Sequence, residues 1–385
     1  MNYRCRTFQL TPNGVNFAVS FALLFSGTLN AQVNPNLGAL SFEPPVVSAR
    51  YALDVPVDPR SVTMGESFVA VGGTTSAYIY NPAALATLRG LHFSYDHRDR
   101  TILSSADGKY RLFTASLHTS MGSIGVFYSR YNDELNFTGV SSVTSYDYVA
   151  GLTIARTLFE HVDVGITGKI FNWGMTFISS YEYKTNSPVL FDLGAQYGMN
   201  GFLEGSMVQD QIRCGLALQN FGTDLRLETM ELGNPDQLQR LPRYVRIGFA
   251  YALHLAPEHE GGLHPLSFLL TAEYRNLLNG KDNQSSDRDF WGFGSEFSFF
   301  EIASVRFGGY ISPATIYSGS QYGSRGAFAA RYGFGLSLPV KYFLPHVPLA
   351  FSFDYAVIPL SNPYDNNHNR FNLFSIEAHL DQEIF

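Results

Sequence analysis

Few residues in this 385-residue sequence are spaced to do chemistry. His254, His259 and His264 stand five apart around Glu258 and Glu260. Imidazole and carboxylate are zinc-type ligands. A helical metal site needs them four apart, as in H-E-x-x-H, and a strand brings every second residue to one face. A spacing of five does neither, so these histidines read as part of a turn. No G-x-S-x-G elbow and no Walker loop occur. A Ser/His/Asp set scattered along the chain would not show in residue order. The reading is of no catalytic residue, no metal and no cofactor. Cys5 and Cys214 are too differently placed to suggest an intrachain disulfide.

A second group is numerous and balanced in sign. Lys169, Asp192, Arg213, Arg246, Glu273, Arg275, Glu296, Arg306, Arg331, Asp354 and Glu377 each fall on the small, polar face of an alternating stretch. Rings of one sign would point to ion selectivity, whereas mixed signs point to an internal network of ion pairs. These residues are expected to be structural.

The elements that position them are strands. From about residue 91 the chain alternates apolar and polar residues over stretches of ~10, a pattern with two unlike faces. Fourteen stretches qualify: 91–98, 110–119, 122–131, 145–157, 161–173, 189–199, 210–220, 243–253, 265–276, 290–299, 301–312, 327–338, 347–358 and 370–380. In one, Leu349, Phe351, Phe353, Tyr355 and Val357 oppose Ala350, Ser352, Asp354 and Ala356. In another, Val245, Ile247, Phe249, Tyr251 and Leu253 oppose Arg246, Gly248, Ala250 and Ala252.

Large apolar residues on one face and small polar ones on the other fit an all-β transmembrane antiparallel barrel of about 14 strands, with a small, polar interior, better than a soluble sandwich. Charged residues are 15%, against about 25% in soluble domains, and aromatics are also 15%, which suits a lipid-facing wall of strands. The links alternate in length, short at 120–121, 158–160 and 299–301 and long at 99–109, 132–144, 174–188, 221–242, 277–289, 313–326 and 359–369, although 200–209 and 254–264 are longer than the short turns expected there. That is the pattern of a bacterial outer-membrane barrel. The net charge of −7 disfavours a nucleic-acid partner.

The N-terminus reads as an export signal. Arg4 and Arg6 precede an apolar run from Val15 to Phe25, and Leu29 and Ala31 occupy the −3 and −1 positions of a cleavage site. Residues 1–31 are thus expected to be a signal peptide, 32–90 a separate segment without alternation, and 91–385 the barrel.

The segment before the barrel carries D-P-R-S-V-T-M-G (58–65), S-F-V-A-V (67–71) and Y-N-P-A-A-L (80–85). This run resembles the start of the PorV/PorQ family, within the wider FadL-like group of outer-membrane barrels. Asn220-Phe221-Gly222, with Leu241-Pro242 leading into R-I-G-F-A-Y, is similar to a family hairpin. The resemblance implies a fourteen-stranded barrel whose N-terminal segment folds inside as a hatch, with Met64, Gly65, Asn81, Pro82 and Ala83 as its motif. It also implies a non-enzymatic component of the type IX secretion system. Such a barrel would sit in outer-membrane lipid and bind secreted cargo proteins or the translocon barrel through its loops, chiefly 221–242 and 313–326. The alternatives are a FadL-like transporter of hydrophobic small molecules and a soluble or surface-attached β-protein.

Overall fold

The computed structural model describes residues 51–54, 56–101, 106–135, 143–177, 181–203, 208–228, 238–255, 263–278, 289–311, 328–344, 346–359 and 370–380. The expected signal peptide, the start of the hatch segment, His259 and the loop 313–326 lie outside these residues.

Among the described residues seventeen strands follow one another: β1 (Leu91–Thr101), β2 (Ala106–Thr119), β3 (Gly122–Leu135), β4 (Val143–Phe159), β5 (Val162–Phe177), β6 (Tyr181–Thr185), β7 (Val189–Asn200), β8 (Val208–Gly222), β9 (Leu225–Glu228), β10 (Leu238–Gln239), β11 (Tyr244–Leu255), β12 (Leu266–Leu277), β13 (Asp289–Phe299), β14 (Ala303–Ile311), β15 (Phe328–Pro339), β16 (Leu349–Pro359) and β17 (Arg370–Leu380). Each of the fourteen stretches read from alternation corresponds to one long strand. The short β6, β9 and β10 were not anticipated. They fall inside the long links 174–188 and 221–242 and extend the sheet beyond the barrel, β6 pairing with β5 and β9, and β9 with β10.

Every pairing is antiparallel, and β17 returns to pair with β1, from Leu91 opposite Leu380 to Arg98 opposite Leu373. The fourteen long strands therefore form a closed barrel with no open edge among them. Closure is what an apolar environment demands, because an unpaired edge in lipid leaves backbone groups without partners.

The two faces divide as the alternation requires. Phe93, Ile154, Ile247, Phe307, Leu336 and Ile376 are each about half exposed on the outer wall. Neighbouring rings meet there across strands, as Phe268 and Phe297 do with centroids 4.5 Å apart. Among the described residues no helix is long and apolar enough to cross a membrane. The wall itself is the membrane-spanning element, and a closed antiparallel barrel of this kind places the protein in a bacterial outer membrane.

Tight turns join the strands at one end. The β13–β14 turn sets Phe300 and Glu301 at φ 52° and 54°, the left-handed pair that matches the twist of a hairpin. The link between β2 and β3 is only Ser120 and Met121.

Candidate functional site

The interior is occupied. Short helices at Tyr51–Asp54, Pro59–Thr63 and Ala77–Tyr80 and a 3-10 turn at Pro82–Thr87 pack against the inner faces of the strands. The Pro59 helix starts where physics predicts. Asp58 caps it by accepting from the Ser61 amide at 2.7 Å, and Pro59 occupies the first turn. The second turn repeats the device. Asn81 Oδ1 accepts from the Ala83 amide at 3.1 Å, and Pro82 follows.

Met64 and Gly65 rest on a floor of glycines. A Cβ on Gly294 would meet Met64 O at 2.6 Å, and one on Gly308 would meet Thr63 O at 2.5 Å. Gly65 itself has φ 65°, and a Cβ on it would come 2.1 Å from Gly309 O. No other residue type accepts both that backbone angle and that approach without displacement. On the opposite wall, Asn81 donates through Nδ2 to Val69 O at 2.7 Å and to Ala195 O at 3.1 Å. Pro82 and Ala83 lie against Gly165 and Gly194. These inward glycines are the seat for an internal segment, not the lining of an open lumen.

The inward charges are paired, and many pairs include that segment. Arg60 binds Glu296 through two bonds of 2.8 and 2.7 Å. Arg306 also binds Glu296, and reaches Asp354. Glu273 accepts from the Phe68 and Val69 amides at 2.8 and 2.9 Å and from Arg246 at 2.7 Å. Arg246 in turn donates to Gln219 Oε1 at 2.6 Å and stacks over Tyr80. Arg275 meets Glu66 at 3.2 Å, and Arg213 lies 3.5 Å from Asp163. Arg331 is 1% exposed and lies over the Tyr310 ring. Glu377 sits 3.1 Å from His92. Burying so many charges is tolerable only because partners stand within hydrogen-bond reach.

Lys169, Asp192 and Asn220 make a further cluster. Lys169 bridges Asp192 at 2.7 Å and donates to Asn220 Oδ1. Asn220 adopts φ 62°, and its amide donates to Asp192 at 2.7 Å. Its side chain donates to Pro242 O at 2.8 Å. Here the β7–β8 register shifts between Phe191 and Leu193, so Gln219 and Asn220 together oppose Asp192 in a bulge held by buried polar bonds, and Phe221 and Gly222 return to register with Phe191 and Leu190. Phe221 points outward and is 36% exposed.

The expectation of a small, polar interior is corrected on one side of the barrel. Tyr110 and Leu112 on β2, Phe127 and Tyr131 on β3, Val149 on β4 and Phe171 on β5 all point inward and form a single buried apolar cluster with Tyr78 and Leu85. Leu190, Leu225 and Leu241 continue it toward the loop end. Alternation reports which face a residue occupies but not what lies opposite; the inward apolar residues have the internal segment and one another to pack against. Between this cluster and the paired ions lies a cavity of about 70 Å³. Leu112, Phe127 and Val149 line one side, and Lys169, Arg246 and Arg275 the other. That is roughly half the ~150 Å³ that holds a benzene ring in a protein core.

The remaining sequence candidates are dispersed. His254, near the end of β11, and His264, just before β12, come together with rings 5.3 Å apart, where His254 meets Ser267 at 2.8 Å and His264 meets Leu255 O at 2.8 Å. Cys214 is a free thiol on the outer face. Arg60, Glu66, Gln196 and Gln219 were not singled out from the sequence, yet each anchors the internal segment. Gln196 donates to Val69 O and Val71 O, and Gln219 to Ile79 O. Strand parity alone would have turned both glutamines inward.

No family model matches the sequence, and no curated protein matches it. Solved structures of similar shape include the toluene transporter TbuX of Ralstonia pickettii, at TM-score 0.46 and 12% identity over 84% of this chain and 97% of that one. A FadL homologue of Pseudomonas aeruginosa gives 0.46 and 11% over 85% and 99%. The toluene transporter TodX of Pseudomonas putida gives 0.45 and 8% over 84% and 98%. At these scores the assignment as a barrel rests on strand pairing and closure, not on the likenesses.

Proposed function

We propose that this chain is an outer-membrane barrel that admits a small, mainly apolar molecule into a plugged lumen, in the manner of a FadL-like transporter. The observation that carries this reading is the inward apolar cluster running from Tyr78 and Leu85 to Leu225 and Leu241. A water-filled pore has a polar lining, whereas an apolar ligand needs an apolar wall with few polar groups to orient it. The cavity beside Leu112 and Phe127 is the starting pocket, and its limited volume restricts the ligand to a single ring or short chain unless side chains move.

Tryptophan emission tests the reading. The chain has two tryptophans. Trp173 packs against the inner cluster, while Trp291 is on the lipid face. In a Trp291→Phe variant, a brominated aromatic or short brominated acyl chain should quench Trp173 saturably. Quenching that only rises linearly with probe, as expected of Trp291 in a Trp173→Phe variant, would reject an internal site.

A second reading follows the PorV/PorQ resemblance, as a type IX secretion component that binds cargo or the translocon barrel with its loops and outer wall. It is supported by how firmly Arg60–Glu296 and Glu273 tie the internal segment down, which suits a barrel whose hole stays shut. Affinity capture from native outer membranes tests it. Recovery without a translocon barrel or secreted cargo would remove it. Neither reading calls for catalysis.

A further inference from the structure

We propose that His92, Glu377 and His379 form a divalent-cation site of zinc type that fastens the first barrel strand to the last. It is independent of both readings of function. Ligand atoms of the three side chains all lie within 4.8 Å of one another. Their register explains the grouping. His92 on β1 stands directly opposite His379 on β17, and Glu377 is two residues along on the same face. The two imidazoles stack with centroids 5.0 Å apart and 14° between planes.

The hydrogen bonds around His92 carry the inference. Its Nε2 lies 2.6 Å from the Arg89 carbonyl oxygen, which can only accept, so Nε2 holds the ring proton. Its Nδ1 lies 3.1 Å from Glu377 Oε1, which also only accepts when ionised. In a neutral ring two lone pairs would then face each other. A cation between them resolves this. Zinc–ligand bonds of ~2.0–2.2 Å at a tetrahedral angle hold two ligand atoms about 3.4 Å apart, close to the separation seen. A histidine bound to metal through one nitrogen ordinarily donates its other N–H to a carbonyl or carboxylate, as His92 does to Arg89 O. The third ligand is the neighbouring His379 imidazole, whose ligand nitrogen lies within 4.8 Å of those of His92 and Glu377. Glu377 Oε2 is held by the Thr75 hydroxyl at 3.3 Å, so the site also touches the internal segment. Two imidazoles and one carboxylate favour zinc over calcium or magnesium, which prefer all-oxygen shells. The fourth position is left for water.

The competing occupant of the gap is a proton, which would make His92 an imidazolium paired with Glu377. Cobalt(II) separates the two. Full-length protein, stripped with chelator and kept in detergent micelles, is titrated with cobalt and then zinc. The expected result is one equivalent of cobalt with the intense visible bands of a four-coordinate site, displaced by zinc. Zinc should also raise the temperature at which the compact barrel loses its fast gel mobility. His379→Gln should abolish both effects, and His264→Gln, at the other histidine pair, should abolish neither. His379→Gln carries the test if His92→Asn does not fold, because its side chain is only partly buried and its folding is read from the same gel shift. Absence of cobalt bands in the wild type, or bands unchanged in His379→Gln, overturns the proposal.

Discussion

Asn81 occupies the space that a side chain on Gly194 would need: a Cβ there would lie 2.0 Å from Asn81 Oδ1. One residue belongs to the internal segment and the other to the wall, 113 positions later, so their fit packs the two against each other.

Gly194→Ala should therefore lift the Pro82–Thr87 turn from the wall. Overpacking of this kind costs about 1–3 kcal/mol. Limited proteolysis of the folded protein should cut within residues 56–90 in the variant and leave the wild type intact. Equal resistance would mean that the wall yields instead of the segment.

Glu273→Gln should be costly. It leaves Arg246 buried without its carboxylate and gives the Phe68 and Val69 amides a weaker acceptor. Breaking a buried pair from one side costs about 3–5 kcal/mol. Hydrogen exchange at Phe68 and Val69 should accelerate well before the strand amides do. Uniform acceleration would assign Glu273 to the wall alone.

Asn220→Gly keeps the left-handed backbone but removes the side chain that joins Lys169 to the Pro242 carbonyl. Stranding buried polar groups costs about 1–3 kcal/mol. Asn220→Val adds strain at φ 62° and should be worse. Urea midpoints of the two variants would order them, and the reverse order would mean that packing, not backbone, governs the bulge.

Phe307→Arg places a charge on the lipid wall at mid-strand, where Phe307 is 51% exposed. At bilayer midplane this costs about 2–4 kcal/mol, falling toward zero near the interfaces. Phe343→Arg, on the turn between β15 and β16, should be nearly silent. Folding into lipid vesicles, followed by gel mobility, distinguishes the two. Equal effects would misplace the membrane on the wall.

Alternation by itself determined the barrel. Residues such as Phe351 and Phe353 against Ser352 and Asp354 declare two faces, because side-chain direction in a strand depends only on the parity of the position. The same parity sent Arg246, Glu273, Arg306 and Asp354 inward and, from their mixed signs, suggested pairing. Partners were a different matter. Arg60 with Glu296 and Glu66 with Arg275 are joined across more than 200 residues, and nothing local in the sequence encodes such a contact. Parity also could not tell an empty lumen from a filled one. Gly165, Gly194, Gly294 and Gly308 read as a small interior until the internal segment was seen lying on them. The inward Phe127 and Phe171 show the converse, for an apolar residue turned from lipid is stable only when something covers it. The pairing of His92 with His379 is decided last of all, since it exists only because the first strand and the last meet when the barrel closes.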